Sequence, residues 1–231
     1  VERLVVKSST TVYGASPRDP AMFTEDMAPK ELPRSGYAKD SVEVEAYVRG
    51  FSRRRPDVAV TTLRFANFIG PTVRTPLTEY FRLPVLPVVL GHDARLQFVH
   101  EDDGLAALRT ATLEDRPGTY NVAGEGILML SQAGHRAGRP LLPLPGLVSA
   151  TVGGLLRRAK IADFSPEQIQ FLTYGRGVDT VRMRERLGFE PKHTTMHAFD
   201  SFADARCRDG LLDRDRIASA DRMLVGAVRR V

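Results

Sequence analysis

The chain has a single cysteine, Cys207. That excludes an internal disulfide and any metal site built from several thiolates, and it fits a reducing compartment. No charged-then-apolar leader opens the sequence. The apolar stretch from Leu141 to Leu156 is too short for a membrane span and is broken by Pro143, Pro145, Gly146, Gly153 and Gly154. It reads instead as the start of a helix packed over a pocket, and the expected setting is cytoplasmic, away from membranes. Internal repeats and low-complexity linkers are also missing. Net charge is small, with 33 Lys and Arg against 28 Asp and Glu leaving +5. Apart from short runs such as Arg53-Arg54-Arg55 the basic residues are scattered. A nucleic-acid partner would require a basic stripe interleaved with aromatics, or a recognisable module, and neither is there. No His/Asp/Glu cluster supports a metal: Asp102 and Asp103 read as helix-start residues, and His100 as a structural residue at a strand end.

What remains is the composition of a soluble globular protein, 42% hydrophobic and 26% charged, in 231 residues that can bury a substantial core. Leu4-Val5-Val6 reads as a buried strand ending in small hydroxyl residues, and Val58 to Phe65 as a second. Between them, four prolines among charges mark residues 15–35 as a loop. Val42, Val44, Tyr47, Val48 and Phe51 space a long helix from Tyr37 to about Arg54, which Pro56 ends. Helix followed by β-branched strand is the alternation of a parallel α/β sheet. Further on, the patterning predicts a helix after Pro76 and strands near Val85–Leu90, Leu96–Val99 and Thr119–Val122. It also predicts helices at Asp102–Leu113, after an N-cap at Ser131, and at about 146–160, 165–172, 180–187, 195–208 and 213–229.

Tyr37 carries the first chemical signal. A phenol has an ordinary pKa of about 10, so an enzyme that uses a phenolate near neutrality must stabilise it with a cation or donor. On a helix, residue i+4 shares the face of residue i, whereas i+2 is turned by about 200°. The i+4 place holds Ser41, an uncharged donor, and Lys39 lies at i+2.

Four segments occur in order: Ser9-Thr10-Thr11-Val12-Tyr13-Gly14; Tyr37 with its helix; Leu63-Arg64-Phe65-Ala66-Asn67-Phe68-Ile69-Gly70-Pro71; and Gln97-Phe98-Val99-His100-Glu101-Asp102-Asp103. Thr119 to Gly126, Asp179-Thr180 and Leu187 to Pro191 extend the series. Together they resemble an extended short-chain dehydrogenase/reductase of the NAD-dependent epimerase/dehydratase type, near the nucleotide-sugar 4-epimerases. The resemblance implies that Ser9 hydrogen-bonds the sugar hydroxyl being oxidised and that Tyr37 takes its proton while hydride leaves for NAD. It implies cofactor contacts at Tyr37, Lys39 and Gly70, and substrate contacts at Asn67, Arg95 and Arg176. A nucleotide-sugar-like small molecule is the expected ligand, and a homodimer through the Tyr37–Arg54 helix is the protein partner the resemblance allows.

The sequence departs from that pattern in three places. Ser41 replaces a Lys; Leu96 stands where relatives carry an Arg, with Arg95 shifted by one residue; and no Gly-x-Gly-x-x-Gly turn opens a helix. The expected fold is therefore the C-terminal part of a doubly wound, Rossmann-like parallel sheet plus a smaller, mainly helical substrate domain. Residues 1–75 would be the remnant of the NAD-binding domain, 76–208 the substrate domain with returning sheet elements, and 209–231 a C-terminal helix. As given, the chain reads as a truncated and weak or inactive enzyme, its first strand left with an unpaired edge. The alternatives are a non-catalytic descendant that binds a nucleotide or partner, and a structural subunit that borrows strands.

Overall fold

A computed structural model describes residues 2–29, 31–33, 36–145 and 166–207. The helices expected at 146–160 and 213–229, and Ser35 before Tyr37, lie outside the described residues.

Seven residues, Arg3–Ser9, form β1, which runs into a 3₁₀ turn at Thr10–Tyr13. The loop that follows leads to α1, Gly36–Arg54, and then to β2, Ala59–Phe65. β2 is central. It pairs in parallel with β1 on one side and with β7, Gly118–Val122, on the other, giving the order β1-β2-β7. Successive side chains of a strand point to opposite faces, and β2 shows what each face requires. Leu63 and Phe65 join the cluster that includes Val99, Tyr120, Val122 and Ala107 and Ala111 of α3, Glu101–Leu113. Arg64 points the other way, to Glu45 of α1. Helices on both faces of a parallel sheet are the doubly wound arrangement the sequence predicts.

Shorter elements complete the chain. β3, Asn67–Ile69, pairs in parallel with β6, Phe98–His100. α2, Pro76–Phe81, is closed by a Thr75/Thr78 capping box, and β4, Leu86–Val89, follows it. Where one strand was expected at Leu96–Val99 there are two, because Arg95–Leu96 (β5) belongs with Leu128–Met129 (β8) in another sheet. Gln97 makes the switch. Its buried amide donates to the Gly124 carbonyl and accepts from Val178 N, so side-chain bonds replace a ladder rung. α4, Leu130–Arg136, has Met129 as its N-cap rather than Ser131, whose backbone and hydroxyl are both held by the Asp93 carboxylate. Residues 141–144 do not begin a helix. They are β9, Leu141–Leu144, laid in parallel on β4. α5 spans Pro166–Tyr174, a one-turn π-helical segment Met183–Leu187 takes up most of the helix expected at 180–187, and α6 spans Thr195–Arg206. α2, β6 and α6 meet in an aromatic cluster in which Phe81 packs edge-on against Phe98 and Phe199.

α1 is less apolar inward than its spacing suggested. Val44 and Tyr47 are exposed, and the buried positions are Ala38, Ser41 and Glu45. The partner across the interface decides this: Arg64 on β2 draws the carboxylate inward and turns the valine and tyrosine out.

Candidate functional site

Ser9 ends β1, and Asn67 lies just past the end of β2, so both sit at the carboxyl ends of parallel strands, where open α/β sheets bind ligands. A cavity of about 670 Å³ opens there, and Ser9, Thr11, Tyr37, Asn67 and Arg176 all line it. Apolar side chains such as Leu32, Leu77 and Phe171 make up much of the remaining wall.

Some of the polar groups facing this space have hydrogen-bonding capacity unused among the described residues. Ser9 Oγ caps the 3₁₀ turn by accepting from Thr11 N at 3.2 Å, and its own proton has no acceptor among the described residues. Thr11 Oγ1 is buried with no partner among the described residues. Tyr37, at the first turn of α1, is 58% exposed, which leaves its phenol within reach of a ligand. Arg176 is buried, donates from Nη1 to the Gly14 carbonyl, and lies 5.1 Å above the Phe171 ring, while its Nε has no partner among the described residues. Burial pushes its guanidinium down to about 10, with Asp19 and Tyr13 pulling weakly the other way. It is still a cation at neutral pH, and no carboxylate among the described residues is hydrogen-bonded to it. A buried polar group costs free energy unless it is hydrogen-bonded, and a buried charge costs more. The cavity thus sets the Arg176 guanidinium among polar and apolar groups, with the carboxylates of Glu31 and Glu167 also on its wall.

The other expected residues lie elsewhere. Lys39 is exposed and paired with Glu43 at 3.5 Å, a turn along α1. Gly70 abuts the Glu101 side chain, which also binds Thr72, and so serves the packing of the loop after β3. Arg95 sends its guanidinium to the Ala21 and Pro20 carbonyls. Only its main chain serves the cavity, by accepting from Arg176 N at 2.8 Å. The register of β5 causes this, since Leu96, its neighbour, points into the core. Ser41 is buried off the cavity wall, and its hydroxyl donates to the Tyr37 carbonyl at 2.8 Å.

Sequence reasoning missed Thr11. It also missed a buried chain of polar groups behind the cavity: Ser8, Glu45, Arg64, Tyr13, Asn121 and Glu25. Burial raises the Tyr13 phenol, against the pull of Arg64. Burial also opposes the Arg64 charge, yet its hydrogen bonds to Glu45 and Tyr13 hold that guanidinium more basic than usual. Two signals could have found them, a carboxylate on the inner face of α1 and an arginine inside a β-branched strand.

NAD can be tested against these residues. Ser9 and Tyr37 suit the nicotinamide end of such a cofactor. The pyrophosphate end does not fit, because no described strand passes into a helix through a glycine-rich turn. The helix after β6 opens on Glu101, Asp102 and Asp103, three carboxylates that would repel phosphates. Among the described residues no group of three His, Cys, Asp or Glu side chains could hold a metal, and no helix is long and apolar enough to cross a membrane.

Fold and cavity together define a Rossmann-like α/β protein with a cavity at the strand ends. Comparison narrows this. The sequence profile of the NAD dependent epimerase/dehydratase family matches residues 1–123, and the chain belongs to that family. An uncharacterised protein of Mycobacterium tuberculosis is 46% identical over 230 residues, which cover the whole chain but 61% of that relative. The chain thus spans about three-fifths of its relative's length. Among solved structures, it resembles a UDP-glucose 4-epimerase of Thermotoga maritima in complex with UDP-glucose (17% identity, TM-score 0.63, 89% of this chain and 63% of that one). It also resembles a dTDP-glucose 4,6-dehydratase of Bacillus anthracis in complex with NAD (17% identity, TM-score 0.62, 90% and 62%). At these identities the likeness is one of fold.

Proposed function

We propose that this chain carries the substrate half of an NAD-dependent nucleotide-sugar epimerase or dehydratase. The observation that carries the reading is the convergence of Ser9, Tyr37, Asn67 and Arg176 on one cavity with hydrogen-bonding capacity to spare. Ser9 donates to the sugar hydroxyl and orients it. Tyr37 takes that hydroxyl's proton as the carbon is oxidised. NAD, when bound, supplies the acceptor for the hydride. Asn67 holds a neighbouring sugar hydroxyl, and Arg176 pairs with the anionic part of the ligand, for which a nucleotide diphosphate is the natural candidate. The apolar wall excludes water, which strengthens each of these contacts. Whole-dinucleotide binding requires residues this chain does not carry, so we assign it to a longer protein.

The test is turnover of UDP-glucose, UDP-galactose and dTDP-glucose by full-length protein with NAD, followed by chromatography of the sugars. Tyr37→Phe should remove turnover and leave UDP-sugar binding within about threefold, since only the proton acceptor is lost. Unchanged turnover in that variant would overturn the reading.

One observation favours a second reading, a binding protein that has lost catalysis. Ser41 brings no cation to the face of Tyr37 and spends its hydroxyl on the helix backbone. In that case full-length protein binds UDP-sugars and converts none of them.

A further inference from the structure

α1 turns a carboxylate onto the sheet where an apolar side chain would be ordinary. Glu45, two helical turns beyond Tyr37, accepts from Ser8 Oγ at 2.6 Å and from Arg64 Nε and Nη2 at 2.9 and 2.6 Å. Arg64 Nη1 donates onward to the Tyr13 hydroxyl at 2.8 Å and to the Glu25 carbonyl at 3.0 Å. The Tyr13 hydroxyl in turn donates to Asn121 Oδ1 on β7 at 2.8 Å. Ser8, Tyr13, Glu45, Arg64 and Asn121 are all buried, and the more exposed Arg49 lies 3.7 Å from the Glu45 carboxylate.

None of these groups lies where it could react with a ligand at Ser9, yet each is tied by a short piece of chain to a residue that could. Ser8 precedes Ser9. Tyr13 precedes Gly14, whose carbonyl holds Arg176. Arg64 is three residues before Asn67, and Glu45 shares a rigid helix with Tyr37. A buried ion pair is a poor device for stability, because desolvation offsets much of the attraction. Its strength is direction: the forked guanidinium–carboxylate geometry admits one relative placement of the elements that bear it. With Ser41 supplying no charge, the placement of α1 on the sheet is what remains to set the phenol against Ser9.

We infer that Glu45 and Arg64 are positioning residues that fix the register of α1 against β1 and β2 and thereby hold Tyr37 opposite Ser9 across the cavity. The inference rests on the reading of that cavity as catalytic. It differs from a stabilising role in a measurable way, since replacing a buried ion pair by apolar groups of similar size commonly leaves stability unchanged or raised.

The experiment uses full-length protein with NAD and UDP-glucose or UDP-galactose, and compares wild type with Glu45→Gln, Arg64→Lys and the triple variant Ser8→Ala/Glu45→Leu/Arg64→Met. For the triple variant we expect a melting temperature at or above wild type, KM within about threefold, and kcat lower by about a hundredfold, the scale of an ångström of misplacement. Arg64→Lys, which keeps the charge and loses the fork, should fall between the two even if Glu45→Gln fails to fold. Wild-type kcat in a stable triple variant would mean the network only supports the fold and would overturn the inference. If wild type turns over neither sugar, the proposed activity fails separately, and amide hydrogen exchange decides the positioning. Faster exchange in the triple variant confined to residues 9–14 and 36–41 supports it. Unchanged exchange there, or a uniform rise across the sheet, refutes it.

Discussion

Replacing Arg176 by Met removes the charge from the cavity and keeps much of the side chain's length over Phe171. Three magnitudes compete in the free protein. Burial, which pushes the guanidinium down to about 10, corresponds to about 3 kcal/mol of unfavourable desolvation that Met escapes. Against this stand the bond to the Gly14 carbonyl, about 1.5–3 kcal/mol for a charged donor, and the contact with the Phe171 ring, about 1–2 kcal/mol. The sum lies within about 2 kcal/mol of zero, so the melting temperature should move by no more than about 8 °C in either direction. Ligand binding has no such compensation. Losing one member of a buried charge pair costs about 2–5 kcal/mol, so affinity for UDP should fall by about 30-fold or more. Calorimetric titration of UDP and a thermal melt on the same preparations read both effects. A large loss of stability with UDP affinity unchanged would make Arg176 a strut for the Gly14 turn and refute the anion assignment.

Ser41→Lys in full-length protein should raise turnover by about ten- to a thousandfold where proton transfer limits, the equivalent of restoring about 1.4–4 kcal/mol of phenolate stabilisation. Turnover that does not move would mean another cation does this work. Gly175→Ala should cost at least about 2 kcal/mol in urea or thermal denaturation, because φ is +73° there and a Cβ would stand 2.2 Å from the Arg95 backbone. It should weaken UDP binding as well, since it displaces Arg176; a variant as stable as wild type would show that the close approach to Arg95 relaxes freely. The 231-residue chain alone should show no micromolar affinity for NAD in a calorimetric titration, and saturable micromolar binding would contradict the division of labour proposed for the cofactor.

The elements legible in the sequence were those whose cause is local. Arg3–Ser9, Ala59–Phe65 and Gly36–Arg54 follow from β-branched runs and a helical period that a window of a dozen residues contains. The errors share a different cause. Leu141–Leu144 is a strand because Leu86–Val89 lies beside it, Gln97 divides a strand because Gly124 and Val178 take its amide, and Ser131 is not a cap because Asp93 occupies it. Each depends on a partner remote in sequence. The site divides in the same way. The cavity residues Ser9, Tyr37, Asn67 and Arg176 stand in motifs, whereas Arg95 depends on the face to which a two-residue strand turns it. Glu45 and Arg64 were passed over because each looks like an error of patterning until the other is placed opposite.

β1 has a hydrogen-bonded neighbour on one side only among the described residues. Its seven residues thus present a row of amide and carbonyl groups that a second copy can meet, with Lys7 as an exposed charge on the strand. Produced by itself, the chain should therefore be limited in the test tube less by the strength of its core than by concentration. Dilute, cold handling, or a short peptide strand added to occupy that margin, should keep it in solution.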